Sequence, residues 1–257
     1  MTLDLRARLL PPTCFILAIL ILWEVGCRAG RLPVYLVPPP STVAEALISQ
    51  AGPLFGSALL TLGSALSALV IAIAIAVPLA LLSALSPTVD RAIKPVAVTL
   101  QVTPIVAVAP LAVIWAGLDH PERATTALAA LAAFFPIFSG LLTGLKSADP
   151  DLERLFDLYQ ASALQRLFRL RAPAATPFAL EGCKIGLGLS IIGAVVAEIA
   201  AGSGGSQGLA WRILQSSQQL RTAETFAALT ALALLAVGLN ALASLGEAYI
   251  LRLWRGR

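Results

Sequence analysis

The chain has 257 residues, 58% of them hydrophobic and only 12% charged, against about 25% charged in a typical soluble domain. That is too little charge to coat a water-facing surface, so much of the apolar surface must face lipid. The net charge of +4 does not point to nucleic acid, because the basic residues form no stripe with interleaved aromatics; basic loops on one side of a membrane explain the excess.

A spanning helix needs about 20 mainly apolar residues, and the first candidate runs from about Thr13 to Ala29. Arg6 and Arg8 before it give the outline of a secretory signal. Cys27 after Val25-Gly26 hints at lipoprotein processing, but Glu24 stands where a small apolar residue is wanted. Since the rest of the chain is equally apolar, the run reads as an uncleaved membrane helix. Leu32 to Pro40 is proline-rich and reads as an extended connector. Ser41 reads as the N-cap of a short helix through Gln50.

The second span, about Gly56 to Leu85, carries Gly63, Ser64, Ala65, Ser67 and Ala68, small residues that let helices approach closely in lipid. Pro78 should kink it and Ser86-Pro87 end it. The third span, about Ile93 to Gly117, is interrupted by Pro95, Pro104 and Pro110 and carries Gln101 and Thr103. Backbone carbonyls freed by proline must face protein or a wet cavity, so Gln101, Thr103 and Pro104 are candidate pathway-lining residues; kinks simply buried in the bundle are the bland alternative. The fourth span is about Ala124 to Leu145. The longest polar interruption, Lys146 to Arg171, follows it. The fifth span, about Cys183 to Ala201, and the sixth, about Ala223 to Leu245, flank a Gly202–Ser206 turn and a short helix from Leu209 to Gln219. The expectation is an all-α polytopic membrane protein with about six transmembrane helices.

Orientation follows from the basic residues. With the N-terminus inside, Arg6, Arg8, Arg91, Lys94, Lys146, Arg154, Arg166, Arg169, Arg171, Lys184, Arg252, Arg255 and Arg257 fall on the cytoplasmic side; Arg28, Arg31, Arg123, Arg212 and Arg221 fall outside. The positive-inside rule then puts both termini and the Lys146–Arg171 segment in the cytoplasm.

Catalytic motifs are absent. No Gly-x-x-x-x-Gly-Lys-Ser/Thr loop occurs, so the chain should not hydrolyse ATP itself, and there is no Gly-x-Ser-x-Gly or His-Glu-x-x-His. The single histidine, His120, reads as a solvated loop residue, and Cys14, Cys27 and Cys183 as small buried apolar residues with no metal-ligand spacing. Glu198, in Val195-Val196-Ala197-Glu198-Ile199, is a carboxylate within an apolar run, near the outer end of the fifth helix. A charge there is costly and marks a functional candidate; a carboxylate paired with a polar loop group is the plainer reading. Glu24 and Glu247 lie near helix ends, where water is in reach.

The informative stretch is Asp149 to Pro173. Asp149 or Asp151 can cap a helix, Leu152, Leu155, Phe156 and Tyr159 recur at helical spacing, and a basic helix with Leu164, Leu167 and Phe168 on one side follows. Such an amphipathic pair must dock on a bilayer surface or in a cleft of a partner protein.

Several runs together resemble one family. They are Leu32-Pro33 with Leu36-Val37-Pro38-Pro39-Pro40-Ser41; Leu100 to Leu111 with Trp115-Ala116-Gly117; Ala133-Phe134-Phe135-Pro136-Ile137; Gly144 to Leu152; and Gly182 with Lys184 to Gly188 and Val195 to Glu198. The chain resembles, over nearly its whole length, permease subunits of binding-protein-dependent ABC importers, in the group for nitrate, taurine and alkanesulfonates. In that family the cytoplasmic loop carries a Glu-Ala-Ala, Gly, Leu-Pro motif that forms a coupling helix. Anchored on Pro173, the family's glutamate falls at Arg154, its alanines at Leu155 and Phe156 and its glycine at Gln160; only Ala161, Ser162 and Pro173 keep the usual identities.

The resemblance implies one importer-type transmembrane permease domain over 1–257, with an N-terminal helix at 13–29, a core at 56–245 and a cytoplasmic coupling helix between the fourth and fifth spans. ATPase coupling falls to Arg154, Leu155, Phe156, Tyr159, Gln160, Ala161, Ser162 and Ala163, and the pathway to Gln101, Thr103, Pro104 and Glu198. It implies residence in the inner membrane and no cofactor in this chain, ATP being bound by partner subunits. The implied partners are ABC ATPase subunits, a second identical or different permease chain, membrane lipid, and a periplasmic or lipid-anchored solute-binding protein. The departures in the motif leave three readings: a matched ATPase, a heterodimer beside a permease with the usual motif, or impaired coupling. The solute is a nitrate-, sulfonate- or taurine-like molecule, or a vitamin precursor such as a pyrimidine. The rival classes are a secondary transporter, which would want midplane carboxylates and inverted repeats, and a membrane scaffold.

Overall fold

The computed structural model describes residues 2–117, 120–201 and 207–255. Leu118, Asp119 and the Gly202–Ser206 turn lie outside the described residues. The described residues form helices and no strand: α1 (Thr2–Ala29), α2 (Pro40–Ser49), α3 (Ala51–Leu85), α4 (Pro87–Val102), α5 (Ile105–Ala116), α6 (Pro121–Leu145), α7 (Pro150–Leu158), α8 (Ala163–Arg166), a π-helical turn (Leu167–Arg171), α9 (Ala172–Ala201), α10 (Leu209–Gln218) and α11 (Thr222–Arg255). Among them 5 helices are long and apolar enough to cross a membrane, or 6 if the bent pair α4–α5 is one span.

The core is α3, α6 and α9. The buried stripe of α3 runs Ser57, Thr61, Ala65, Ala68, Ala72, Ala76, Ala80 and Ser83, small residues every three or four positions. Of the early small residues, Ala65 and Ala68 enter this seam, whereas Gly63 and Ser67 face outward. Helices α6 and α9 meet along small residues spaced by four, where packing must replace the hydrophobic effect. A Cβ on Gly140 would stand 2.9 Å from the Phe178 carbonyl oxygen, and one on Gly182 2.8 Å from that of Pro136. The stacked rings of Phe134 and Phe138, 5.6 Å apart, fill the core beside this seam.

Helix α1 lies at the edge, with Trp23 against Phe226 at 5.6 Å and Phe15, Ile21 and Leu22 exposed. Cys14 is therefore exposed, not buried as its apolar setting suggests; Cys27 is buried and Cys183 half-buried.

Two local readings need correction. The connector is not extended throughout: the N–H groups of Leu36 and Val37 donate to the Pro33 carbonyl, making a turn, and only Pro39 (φ −67, ψ 151) enters α2 extended. Ser41 is not the N-cap. Pro39 takes that place with Pro40 at the first helical position, and the Ser41 hydroxyl and N–H both donate to Glu24 of α1, at 2.9 and 3.0 Å. A carboxylate from a neighbouring span thus does the capping that a serine would do locally.

The helix that carries the fifth span begins well before Cys183, in one helical run Ala163–Ala200. Lys184 within it is paired on both sides, its Nζ 2.6 Å from Glu181 and 2.8 Å from Glu247 of α11.

Candidate functional site

The prolines of the third span break it at one place. α4 and α5 meet at 98°, with Thr103 (φ −69, ψ 123) and Pro104 (φ −64, ψ 108) extended between them. Pro95 and Pro110 stay inside helices. The difference lies in the preceding residue. Proline disfavours the helical region for the residue before it, and a β-branched side chain adds to that; Thr103 precedes Pro104, while Lys94 and Ala109 precede the others. The threonines satisfy backbone at the break, Thr103 Oγ1 donating to the Thr99 carbonyl at 2.7 Å and Thr99 Oγ1 to that of Pro95 at 2.9 Å.

Beside the bend lies a groove of about 460 Å³ between α4–α5, α6 and α9, lined by Gln101, Ile105, Phe135, Ser139, Thr143, Phe178 and Glu181 among others. Gln101 lines it, whereas Thr103 and Pro104 are not among its lining residues. A neighbouring hollow of about 500 Å³ shares Phe135, Ser139 and Thr143 and continues to Lys94 and Lys146. A hollow of similar size between α3, α4 and α6 is lined only by Ala, Ile, Leu, Val and Phe and offers a solute no polar group.

Glu198 is set apart from these residues. It is fully buried where α9, α3 and the start of α10 meet. Its carboxylate accepts from Thr61 Oγ1 at 2.8 Å and from the Ala210 N–H at 2.9 Å, while Thr61 Oγ1 accepts from the Leu209 N–H at 2.9 Å. Gly208 packs directly on the carboxylate. This is a cap on α10 supplied by another helix, the same device as Glu24 on α2.

At the opposite end of the bundle, α7 and α8 form a hairpin that holds all eight motif residues together. Asp149 caps α7 by accepting from the Asp151 N–H at 2.8 Å. The helix ends in a Schellman turn: the Ala161 N–H donates to the Phe156 carbonyl at 3.0 Å and the Gln160 N–H to that of Asp157 at 2.9 Å, with Gln160 left-handed at φ 49. Ser162 then caps α8 in a reciprocal box with Gln165. Glu153 pairs with both Arg166 and Arg171, and Asp157 with Arg166. Arg171 also donates to the Ala84 carbonyl at the end of α3, at 3.3 Å. Arg154 faces outward with Asp151, Phe156 is half-buried, and Leu155, Leu158, Tyr159, Leu164 and Phe168 are exposed, Leu158 at 82% and Tyr159 at 79%.

Residues 72–256 match the family described as binding-protein-dependent transport system inner membrane component. The chain belongs to this family. It is 33% identical over 234 residues to the formylaminopyrimidine transport permease protein ThiX of Halalkalibacterium halodurans, covering 89% of each chain. It is 33% identical to the riboflavin transport system permease protein RibX of Chloroflexus aurantiacus, over 95% of this chain and 89% of the relative. It is 31% identical to the taurine transport system permease protein TauC of Escherichia coli, over 86% and 82%. The protein is a multi-pass membrane permease of an ABC importer, a transport component and not an enzyme, and permeases of this family work with ATPase and substrate-binding partners.

Three lining residues of the permease groove escape sequence reasoning: Ser139, Thr143 and Glu181. Ser139 and Thr143 sit four apart in an otherwise apolar run, the spacing of one helix face. Glu181 is three residues before Lys184, an ion pair at helical spacing that could have extended the fifth span backwards.

Proposed function

We propose that the α7–α8 hairpin is the handle by which ATPase subunits drive this permease, and that solute passes along the groove at the α4–α5 bend, between this chain and a second permease copy. The observation that carries the first half is the hairpin itself. Its internal charges are spent on one another through Glu153, Asp157, Arg166 and Arg171, while Leu155, Leu158, Tyr159 and Leu164 are exposed. Gln160 keeps the left-handed turn at the position where the family's motif has glycine. That favours a matched ATPase over impaired coupling, because the left-handed turn that a glycine would allow is still formed, here by Gln160.

In this reading both termini and the hairpin are cytoplasmic, the whole of 1–257 is one permease domain, and α2, α10 and the connector face the binding protein. ATP binding and hydrolysis bias the helices between outward- and inward-facing states by differential contacts on the hairpin. Gln101, Thr103 and Pro104, with Ser139, Thr143 and Glu181, serve the pathway, and Glu198 serves it indirectly by holding α10. The relatives' names span ring compounds and a sulfonate, so the solute is left to the chemistry of the groove.

The test is co-purification with an ATPase chain, followed by reconstitution. Tyr159→Asp should abolish transport while leaving the permease folded. Transport that persists with no ATPase bound would refute the reading, as would labelling of position 159 from the outer face.

A further inference from the structure

We infer that a polar hollow beside α10 is a socket for one aspartate or glutamate side chain of the solute-binding protein, and that Arg212 is the group that holds it. This rests on the reading above that α10 faces the binding protein, and deepens it.

The hollow lies between the start of α3, α10 and the start of α11, at the end of the bundle away from the hairpin. Its lining is mostly polar, with Gln50, Arg212, Gln215, Gln219, Arg221 and Glu224 in the wall. At about 210 Å³ it is smaller than the pockets that hold small organic ligands, roughly 300–1,000 Å³. A space of that size suits the tip of one side chain better than a solute.

The charges in it do not balance. Arg221 has Glu224 at 3.6 Å. Arg212 has no ion-pair partner among the described residues. Glu198, at the start of α10, is taken up by Thr61 and the Ala210 N–H, and Glu45 of α2 is exposed and outside the lining. The hollow thus sets two guanidinium groups against one carboxylate. Arg212 is also held in place: it is half-buried, and its Nε donates to Ser57 Oγ of α3. That bond leaves the two terminal nitrogens of a planar fork for a carboxylate. A charge drawn partly out of water is costly without a partner, and a carboxylate from outside supplies the one this chain lacks.

The rim beside the hollow is apolar. α10 ends in a Schellman turn, the Arg221 N–H donating to the Ser216 carbonyl at 2.9 Å and the Leu220 N–H to that of Ser217 at 3.0 Å. Leu220 stands left-handed at φ 56, where glycine is favoured, and its side chain is exposed. Tyr35 is exposed as well, and its carbonyl accepts from Thr222 Oγ1 at 2.6 Å, next to Arg221. An arginine anchor flanked by exposed leucine and tyrosine is the make-up of a protein–protein contact.

The test uses the permease–ATPase complex in nanodiscs and the solute-binding protein that stimulates its ATP hydrolysis, titrated by fluorescence. Arg212→Gln should weaken binding about ten-fold or more and flatten its dependence on added salt, with basal ATP hydrolysis unchanged. Arg212→Lys should lose less. In Arg212→Glu the affinity should return when one aspartate or glutamate on the binding protein's surface is changed to arginine, a rescue that a purely structural role for Arg212 would not give. Unchanged affinity in Arg212→Gln, or rescue at no acidic position, would overturn the inference. If the Arg212 variants do not fold, Gln219→Cys in a background lacking Cys14, Cys27 and Cys183 decides. It should form a disulfide with a cysteine placed at an acidic position of the binding protein; crosslinking at none of them, or between two permease copies instead, would overturn the inference. An impermeant maleimide that reaches position 219 only from the cytoplasmic side would overturn the orientation and this inference together, and so would a complex that no solute-binding protein stimulates. Labelling from outside with affinity unmoved by Arg212→Gln would overturn this inference alone.

Discussion

Replacing Glu198 with alanine strands two buried donors at once. Thr61 Oγ1 loses an acceptor at 2.8 Å and the Ala210 N–H one at 2.9 Å, in a site with no exposed surface. A hydrogen bond to a charged group contributes about 1.5–3 kcal/mol, and a buried unsatisfied donor costs about 1–3 kcal/mol. Allowing for relaxation and partial water entry, Glu198→Ala should destabilise the permease by about 3–5 kcal/mol. Glu198→Gln keeps a carbonyl for the Ala210 N–H and places its amide toward Thr61, which can still accept, for a cost of about 1–2 kcal/mol. Gly208→Ala should resemble Glu198→Ala, because a Cβ there would coincide with the carboxylate. Thermal unfolding in detergent, or reversible titration with a denaturing surfactant, ranks the three. A Glu198→Ala protein within about 0.5 kcal/mol of wild type, smaller than the loss of one typical net hydrogen bond, would refute the capping account. So would a glutamine variant as damaged as the alanine variant.

Gln160→Gly should raise stability by about 1 kcal/mol, since glycine carries no Cβ penalty in the left-handed region, and should leave transport intact; a fall in melting temperature would contradict it. Tyr159→Asp should leave the melting temperature unchanged, the side chain being 79% exposed, yet abolish stimulation of ATP hydrolysis by the binding protein. In a background lacking Cys14, Cys27 and Cys183, a cysteine at position 159 should react with an impermeant maleimide in inside-out vesicles and not in intact cells. Gly193→Leu should cost about 3 kcal/mol or more, because even a Cβ would stand 2.7 Å from Ala129 Cα, and it should be visible as loss of the monodisperse species in size exclusion.

The spans were legible because a lipid-facing helix announces itself by composition alone: α3, α6 and α11 lie where the apolar runs do. What hydropathy could not show was partnership between distant residues. The expected span starts later than α9 because Glu181 interrupts the apolar run, and Lys184 pairs with both Glu181 and, from α11, Glu247. Ser41 carried a good capping signal that Glu24, in another helix, overrides. Three prolines marked the third span as broken, and local sterics at Thr103 picked the one that breaks it. The hairpin was the most readable part of the candidate site, since its caps and its turn are local in sequence. The groove was the least, because Gln101, Ser139, Thr143 and Glu181 come from three helices and share no sequence spacing.

Helix α3 is anchored near one end to the hairpin and toward the other to α9 and α10. With 35 residues at about 1.5 Å each it is a rod of about 50 Å. The Ala84 carbonyl, near one tip, is held by Arg171, whose guanidinium also grips Glu153 of the hairpin. Toward the other tip, Thr61 is bonded to Glu198 and to the first residue of α10. In the proposed mechanism, force applied at the hairpin would travel to the opposite end of the bundle along this one helix, whose hydrogen-bond ladder is interrupted at Pro78, and not through the 98° elbow of α4 and α5.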